Sequence, residues 1–125
     1  LLVGGGGEHL ARRVHDWLRR EARRTITPLA WEKARIIGLK PDRISIRDQR
    51  SRWGSCSRTG GLSFNWRLIL APPLVLDYVV AHEAAHLREM NHSAAFWAVV
   101  DQVTEHAHSG RQWLKSNGTR LHSYG

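Results

Sequence analysis

The sequence predicts an α+β fold: a small, mainly antiparallel sheet packed against helices, in the order helix, helix, sheet, helix, helix. Three observations predict it. Apolar residues recur at helical spacing over the first third, alternate with polar residues between about 42 and 64, and return to helical spacing from Leu74 onward.

The chain opens on "LLVGGGG", residues 1–7, expected to be flexible because four consecutive glycines lose much backbone entropy if fixed. No phosphate-loop pattern accompanies them. Residues 8–125 are expected to form one domain, since 14.3 kDa leaves no room for a second. A helix is predicted over 8–24, with Leu10, Val14, Trp17 and Leu18 as its apolar stripe. Thr27 as cap and Pro28 at a first helical position predict a second helix, with Leu29, Ile36 and Ile37 as core and Gly38 as terminator. In "DRISIRDQ", Ile44 and Ile46 alternate with polar residues, and "TGGLSFN" puts Leu62 and Phe64 on one face after a Gly-Gly turn. Helical spacing then covers about 74–89 and resumes after Ser93, a good cap, with Phe96, Val99, Val100 and Val103 inward. A last short helix is predicted over 110–116.

Composition narrows the function classes. The single cysteine, Cys56, excludes an internal disulfide framework and a four-cysteine zinc site, so a metal must be held mainly by nitrogen or oxygen. No apolar run reaches the roughly 20 residues of a bilayer span and no signal-peptide pattern is present, so a soluble, cytoplasmic protein without membrane contact is expected. The formal charge of +8 lies mostly early: residues 1–53 hold 13 Lys and Arg against 6 Asp and Glu, and residues 54–125 hold 6 against 5. The basic half could bind nucleic acid or another polyanion weakly, although a solvated arginine-rich helix face explains the charge equally well.

The chemistry concentrates in "VVAHEAAHLREMNHSAAFW", residues 79–97. His82 and His86, four apart on a helix, present both imidazoles on one face, where they can share an ion. Glu83 lies just off that face and is placed to act as general base toward a metal-activated water. His92 is ten residues beyond His82, so it can converge with the others only if the helix breaks. Asn91 tolerates left-handed geometry, and Ser93 can start a new helix. Two ligands from a helix and one from the following bend, with water fourth, make an open catalytic site for one Zn²⁺ per chain. Histidines hydrogen-bonded to backbone are the blander reading, but the apolar surroundings, Val79 to Leu87, argue against it.

Three blocks, "RSRWGSCSRTGGLSFNWRL" at 50–68, "LDYVVAHEAAHLREMNHSAAFW" at 76–97 and "RQWL" at 111–114, resemble the YgjP-like family of small zinc metallopeptidases, related to the SprT-like proteases and the minigluzincins. The resemblance implies a compact zincin-like domain with HExxH on a central helix, zinc on His82, His86 and His92, and Glu83 catalytic. It implies hydrolysis of peptide bonds in a peptide or unfolded protein. Some members carry the label of UTP pyrophosphatase, and the SprT-like kinship raises a nucleic-acid-associated protease; these are the alternatives. Glu89 stands where the metzincin pattern has glycine, so that pattern is not carried over.

Several further residues are candidates. Arg50 and Arg52 could bind a carboxylate or phosphate, Ser55 could donate a hydrogen bond in the cleft, and Tyr78, one turn before His82, could face it. Asn65, Glu89, Asp101 and Glu105 are candidates to support the ligands, and Asp101 or Glu105 could replace His92 as third ligand. Trp53 and Cys56 read as structural, and His106, His108 and His122 as ordinary polar residues. An extended peptide could pair with an exposed edge of the small sheet. A triphosphate would need clustered carboxylates for magnesium, and none is evident. The sequence carries no signal of oligomeric state.

Overall fold

The structure, a computed structural model, describes residues 7–124, with side chains from Ala11. The expected flexible segment 1–7 lies outside this range apart from Gly7, and the Leu10 side chain lies outside it too.

Helix α1 (Gly7–Ile36) is continuous, where the sequence predicts a break at Thr27. Ala22, Ile26, Ala30 and Ala34, spaced by four, are all fully buried, so one unbroken stripe faces the core on both sides of Pro28. Pro28 has no N–H to offer the Arg24 carbonyl, but both residues lie on the solvent side, where water can satisfy that oxygen. Burial outweighs the local stop signal. The stripe is also rotated from the predicted one: Trp17 and Ile36 are more than half exposed, while Ile37 is buried. The helix ends as predicted at Gly38, whose φ of 74° lets Leu39 N–H reach the Ala34 carbonyl and its own N–H that of Arg35.

Strands β1 (Arg43–Arg47), β2 (Gly54–Cys56) and β3 (Gly61–Asn65) form a sheet of order β1-β3-β2. The sheet is mixed rather than mainly antiparallel. β2 and β3 form the expected hairpin, but β1 runs parallel to β3, pairing Ile44 with Leu62 and Ile46 with Phe64. Register puts these four residues, Gly54 and Cys56 on the inner face, and Ser45, Ser55 and Ser63 on the outer one. Helix α1 covers the β1 edge, with Arg19 donating to the Ile46 carbonyl. β2 is therefore the open edge. Asn65 N–H bonds the Trp53 carbonyl and Ser57 N–H that of Gly61, so residues 53, 55 and 57 bond toward β3 while Gly54 and Cys56 aim their backbone groups outward.

A 3-10 helix, Trp66–Leu70, follows β3, capped by the Asn65 side chain, which accepts from Arg67 N–H. Arg67 is 1% exposed and tolerated because Asp48, Asn65 and the Tyr124 carbonyl accept from its guanidinium. Helix α2 (Pro73–Ala85) starts with proline in its first turn, where no N–H is needed, and packs against α1, β2 and α4. It stops four residues short of the predicted end. Helix α3 (Ala94–Val103) begins where expected, with the Ser93 hydroxyl accepting from Phe96 N–H. Helix α4 (Ala107–His122) is far longer than the predicted 110–116. Its glycines lower intrinsic propensity, but Gly110 and Gly118 are contact points: a Cβ on Gly110 would meet Tyr78 side-chain atoms at 2.6 to 2.8 Å, and Gly118 lies against Trp53.

One polar group pins the helices together. Lys33, 8% exposed, donates to the Val103 carbonyl and pairs with Asp77 at 2.9 Å, while Thr104 donates to the other Asp77 oxygen at 2.7 Å. No helix among the described residues is long and apolar enough to cross a membrane.

Candidate metal centre

Helix α2 delivers His82 from its last turn and His86 as the residue that caps it, and there its geometry changes. From His86 onward, N–H groups bond the carbonyl three residues back: His86 to Glu83, Leu87 to Ala84 and Arg88 to Ala85. This tightened turn swings the chain around. Arg88 anchors it to the end of α1 by donating to the Ile37 carbonyl at 2.6 Å. Asn91 is not left-handed, since no described non-glycine residue has positive φ. The return of His92 thus depends on the turn at 86–88 and the Ser93 cap.

The three imidazoles converge. Their donor atoms all lie within 4.8 Å of one another, and His86 Nε2 stands 3.1 Å from His92 Nε2. Two nitrogens about 2 Å from one tetrahedral ion would be roughly 3.3 Å apart, so the spacing fits a shared ion. The opposite ring nitrogens are already engaged: His82 Nδ1 lies 3.1 Å from the Tyr78 hydroxyl, and His86 Nδ1 lies 2.9 Å from the Glu89 carbonyl. That leaves the Nε2 atoms for an ion. Burial and the neighbouring imidazoles push His82 down to about 4, with Arg111 adding to the effect, and burial also lowers His86. Both are therefore neutral at pH 7, the form that ligates. Fully buried Phe96 forms the floor, its ring 4.4 to 4.9 Å from all three imidazoles.

Glu83 is 7% exposed, on the α2 face toward β2. A Cβ at Gly54 would come within 2.7 Å of Glu83 Cγ, so only glycine lets the strand lie this close to the carboxylate. Burial pushes Glu83 up to about 7, with Arg52 pulling the other way. Burial also raises Cys56, to about 11, so this thiol is no nucleophile at neutral pH.

The remaining candidates are distributed unevenly. Tyr78 touches a histidine rather than open cleft, and Glu89 contributes its main-chain carbonyl. Arg52 is exposed, with its charge acting on Glu83, whereas Arg50 acts on Asp48. Ser55 points to the outer face, away from α2. Asn65 caps the 3-10 helix and donates to the Gln49 and Arg52 carbonyls. Asp101 and Glu105 line a separate groove with Lys33, Asp77 and His106, and no carboxylate joins the three histidines among the described residues. His122 stacks on Trp53, ring centroids 3.7 Å apart. Phe96 and Arg111 were not legible as site residues: Phe96 reads as core, and Arg111 sits on a helix whose packing the sequence does not specify.

Three converging imidazoles beside a buried carboxylate, under an open sheet edge, place the protein among metal-dependent hydrolases. The chain belongs to the YgjP-like family of metallopeptidase domains, whose family model matches residues 2–117. The crystal structure of the metallopeptidase zymogen of Pyrococcus abyssi abylysin shares the fold, with a TM-score of 0.62 at 23% sequence identity, covering 73% of this chain and 94% of that one. No curated protein matches the chain.

Proposed function

We propose that this metallopeptidase is zinc-dependent, with His82, His86 and His92 holding one ion and Glu83 as general base. The convergence of the three imidazoles, with the other ring nitrogens of His82 and His86 engaged, carries this reading. Neutral nitrogen donors in a set of three suit zinc. Bound there, the ion supplies Lewis acidity toward water and the scissile carbonyl. The chain's own residues do the rest. Glu83, buried beside the ligand helix face, accepts the proton of the attacking water and passes it to the leaving amine. The outward N–H and C=O groups of Gly54 and Cys56 offer an extended peptide a strand to pair with beside Glu83.

The test is to incubate zinc-loaded protein and a Glu83→Gln control with an unfolded-protein and peptide mixture, in parallel with nucleoside triphosphates. New peptide termini that vanish in the control are expected. Pyrophosphate release that vanishes in the control would replace the peptidase reading with nucleotide hydrolysis.

Tyr78→Phe removes the hydroxyl that orients His82. Zinc affinity, measured by chelator competition, is expected to fall about 10-fold, the lower end for loss of a partner behind a ligating histidine. Unchanged affinity would reduce Tyr78 to packing.

Without metal, Glu83 and His82 act on stability in opposite directions. Glu83 at about 7, against an ordinary 4.5, holds its proton more tightly when folded; that contribution is full below pH 4.5 and is lost as pH rises through 7. His82 at about 4, against 6.5, contributes fully above pH 6.5 and loses the contribution as pH falls through 4. The slopes oppose between pH 4.5 and 6.5. His86, also lowered by burial, adds to the loss on acidification in both proteins. Glu83→Gln removes the opposing contribution, so between pH 6.5 and 4.5 the metal-free variant should lose on the order of 2 kcal/mol more than the parent. Urea titrations at those two pH values check this, and parallel curves for the two proteins would contradict it.

A further inference from the structure

The rim of the histidine cluster carries a cation that the reaction above does not use. Gly110 packs so closely on Tyr78 that a Cβ there would come within 2.6 to 2.8 Å of its side chain, and the next residue, Arg111, lies beside the site. Its guanidinium carbon lies 4.4 Å above the Trp97 ring. That ring is in turn 5.7 Å from His82 and 6.1 Å from His92. The charge is close enough to act on both Tyr78 and His82. Among the described residues, no carboxylate lies within ion-pair distance of Arg111 and no acceptor takes its N–H groups. An arginine with no role here would be expected to extend into water. Arg111 is exposed, yet its guanidinium is held over an aromatic face, a placement that restricts its direction while leaving its donors free.

We propose that Arg111 is a specificity-determining residue of the peptidase site, receiving a carboxylate of the substrate close to the scissile bond. The inference rests on the metallopeptidase reading above. A planar fork with five donors matches a carboxylate in a bidentate pair, and Trp97 limits the entropy lost on binding. The carboxylate comes from the C-terminus of a short peptide or from an acidic side chain, and the two sources separate experimentally.

The probes are three succinyl hydroxamates that differ in one appended residue: alanine with a free carboxylate, alanine amide, and glutamate amide. Their affinities for the zinc-loaded parent, Arg111→Ala and Arg111→Lys are measured by calorimetry at low ionic strength, where an exposed charge is least screened. Arg111→Ala should weaken one carboxylate ligand about 10- to 100-fold, leave alanine amide within about twofold, and be partly rescued by lysine. Selective loss for the free alanine acid assigns the C-terminus, and selective loss for glutamate amide assigns the acidic side chain. Equal loss for all three would make Arg111 a packing residue, and no loss would remove it from the site; either overturns the proposal. If no hydroxamate binds the parent, the zinc peptidase reading itself fails, an outcome distinct from failure of the arginine alone.

Discussion

Glu83→Gln is expected to lower kcat/KM on a cleaved peptide by roughly 10²- to 10⁴-fold, the contribution of a positioned general base. The substitution preserves shape where shape matters, because Glu83 Cγ and one carboxylate oxygen lie directly against Gly54, and a glutamine fills the same space. It removes the carboxylate's charge and with it the capacity to take a proton. Zinc content should stay at one per chain, since the three imidazoles that face one another do not include this carboxylate. Steady-state kinetics and metal analysis on the same preparation check both halves. Retention of more than about a tenth of the activity, with zinc unchanged, would move the base to another group.

The largest expected effect on stability lies outside the site. Asp77→Ala should cost about 3 kcal/mol, because it leaves the Lys33 ammonium buried with only the Val103 carbonyl and strips Thr104 of its acceptor. Lys33 belongs to α1, Asp77 to α2, and Val103 and Thr104 to the end of α3, so one side chain holds three helices in register. The double variant Lys33→Met with Asp77→Leu removes both charges and should recover most of the loss, since a well-packed apolar pair often matches a buried ion pair. Urea denaturation of the zinc-loaded proteins measures both. A single variant within about 0.5 kcal/mol of the parent would show that water already screens the pair.

The grouping of the histidines was legible because it is local. His82, Glu83 and His86 fall within five consecutive positions, where helical spacing alone fixes direction. The apolar stretch around them implied that the imidazoles would be partly dehydrated, and His82 is held neutral chiefly by that burial. The Ser93 cap and the Gly38 terminator were equally readable, since each depends on one residue's own hydrogen bonding or backbone freedom. Phe96 was legible as a buried residue, but its place beneath the imidazoles depends on how α3 lies across α2.

By itself, the sequence determined the α+β class, the histidine triplet, the carboxylate beside it and the strand with Leu62 and Phe64 inward, because each follows from residue type and short-range periodicity. Tertiary structure decided where local signals lost or were silent. It carried α1 through Pro28, because four buried positions on one stripe outweigh one missing N–H. It carried α4 through Gly110, because Tyr78 occupies the space a side chain there would fill, and through Gly118, which packs on Trp53. Only the tertiary structure could set β1 parallel to β3, leave β2 as the open edge above Glu83, and seat Arg111 on Trp97. Each of those joins residues distant in the chain, and their contact energy appears only once the helices and the sheet have packed.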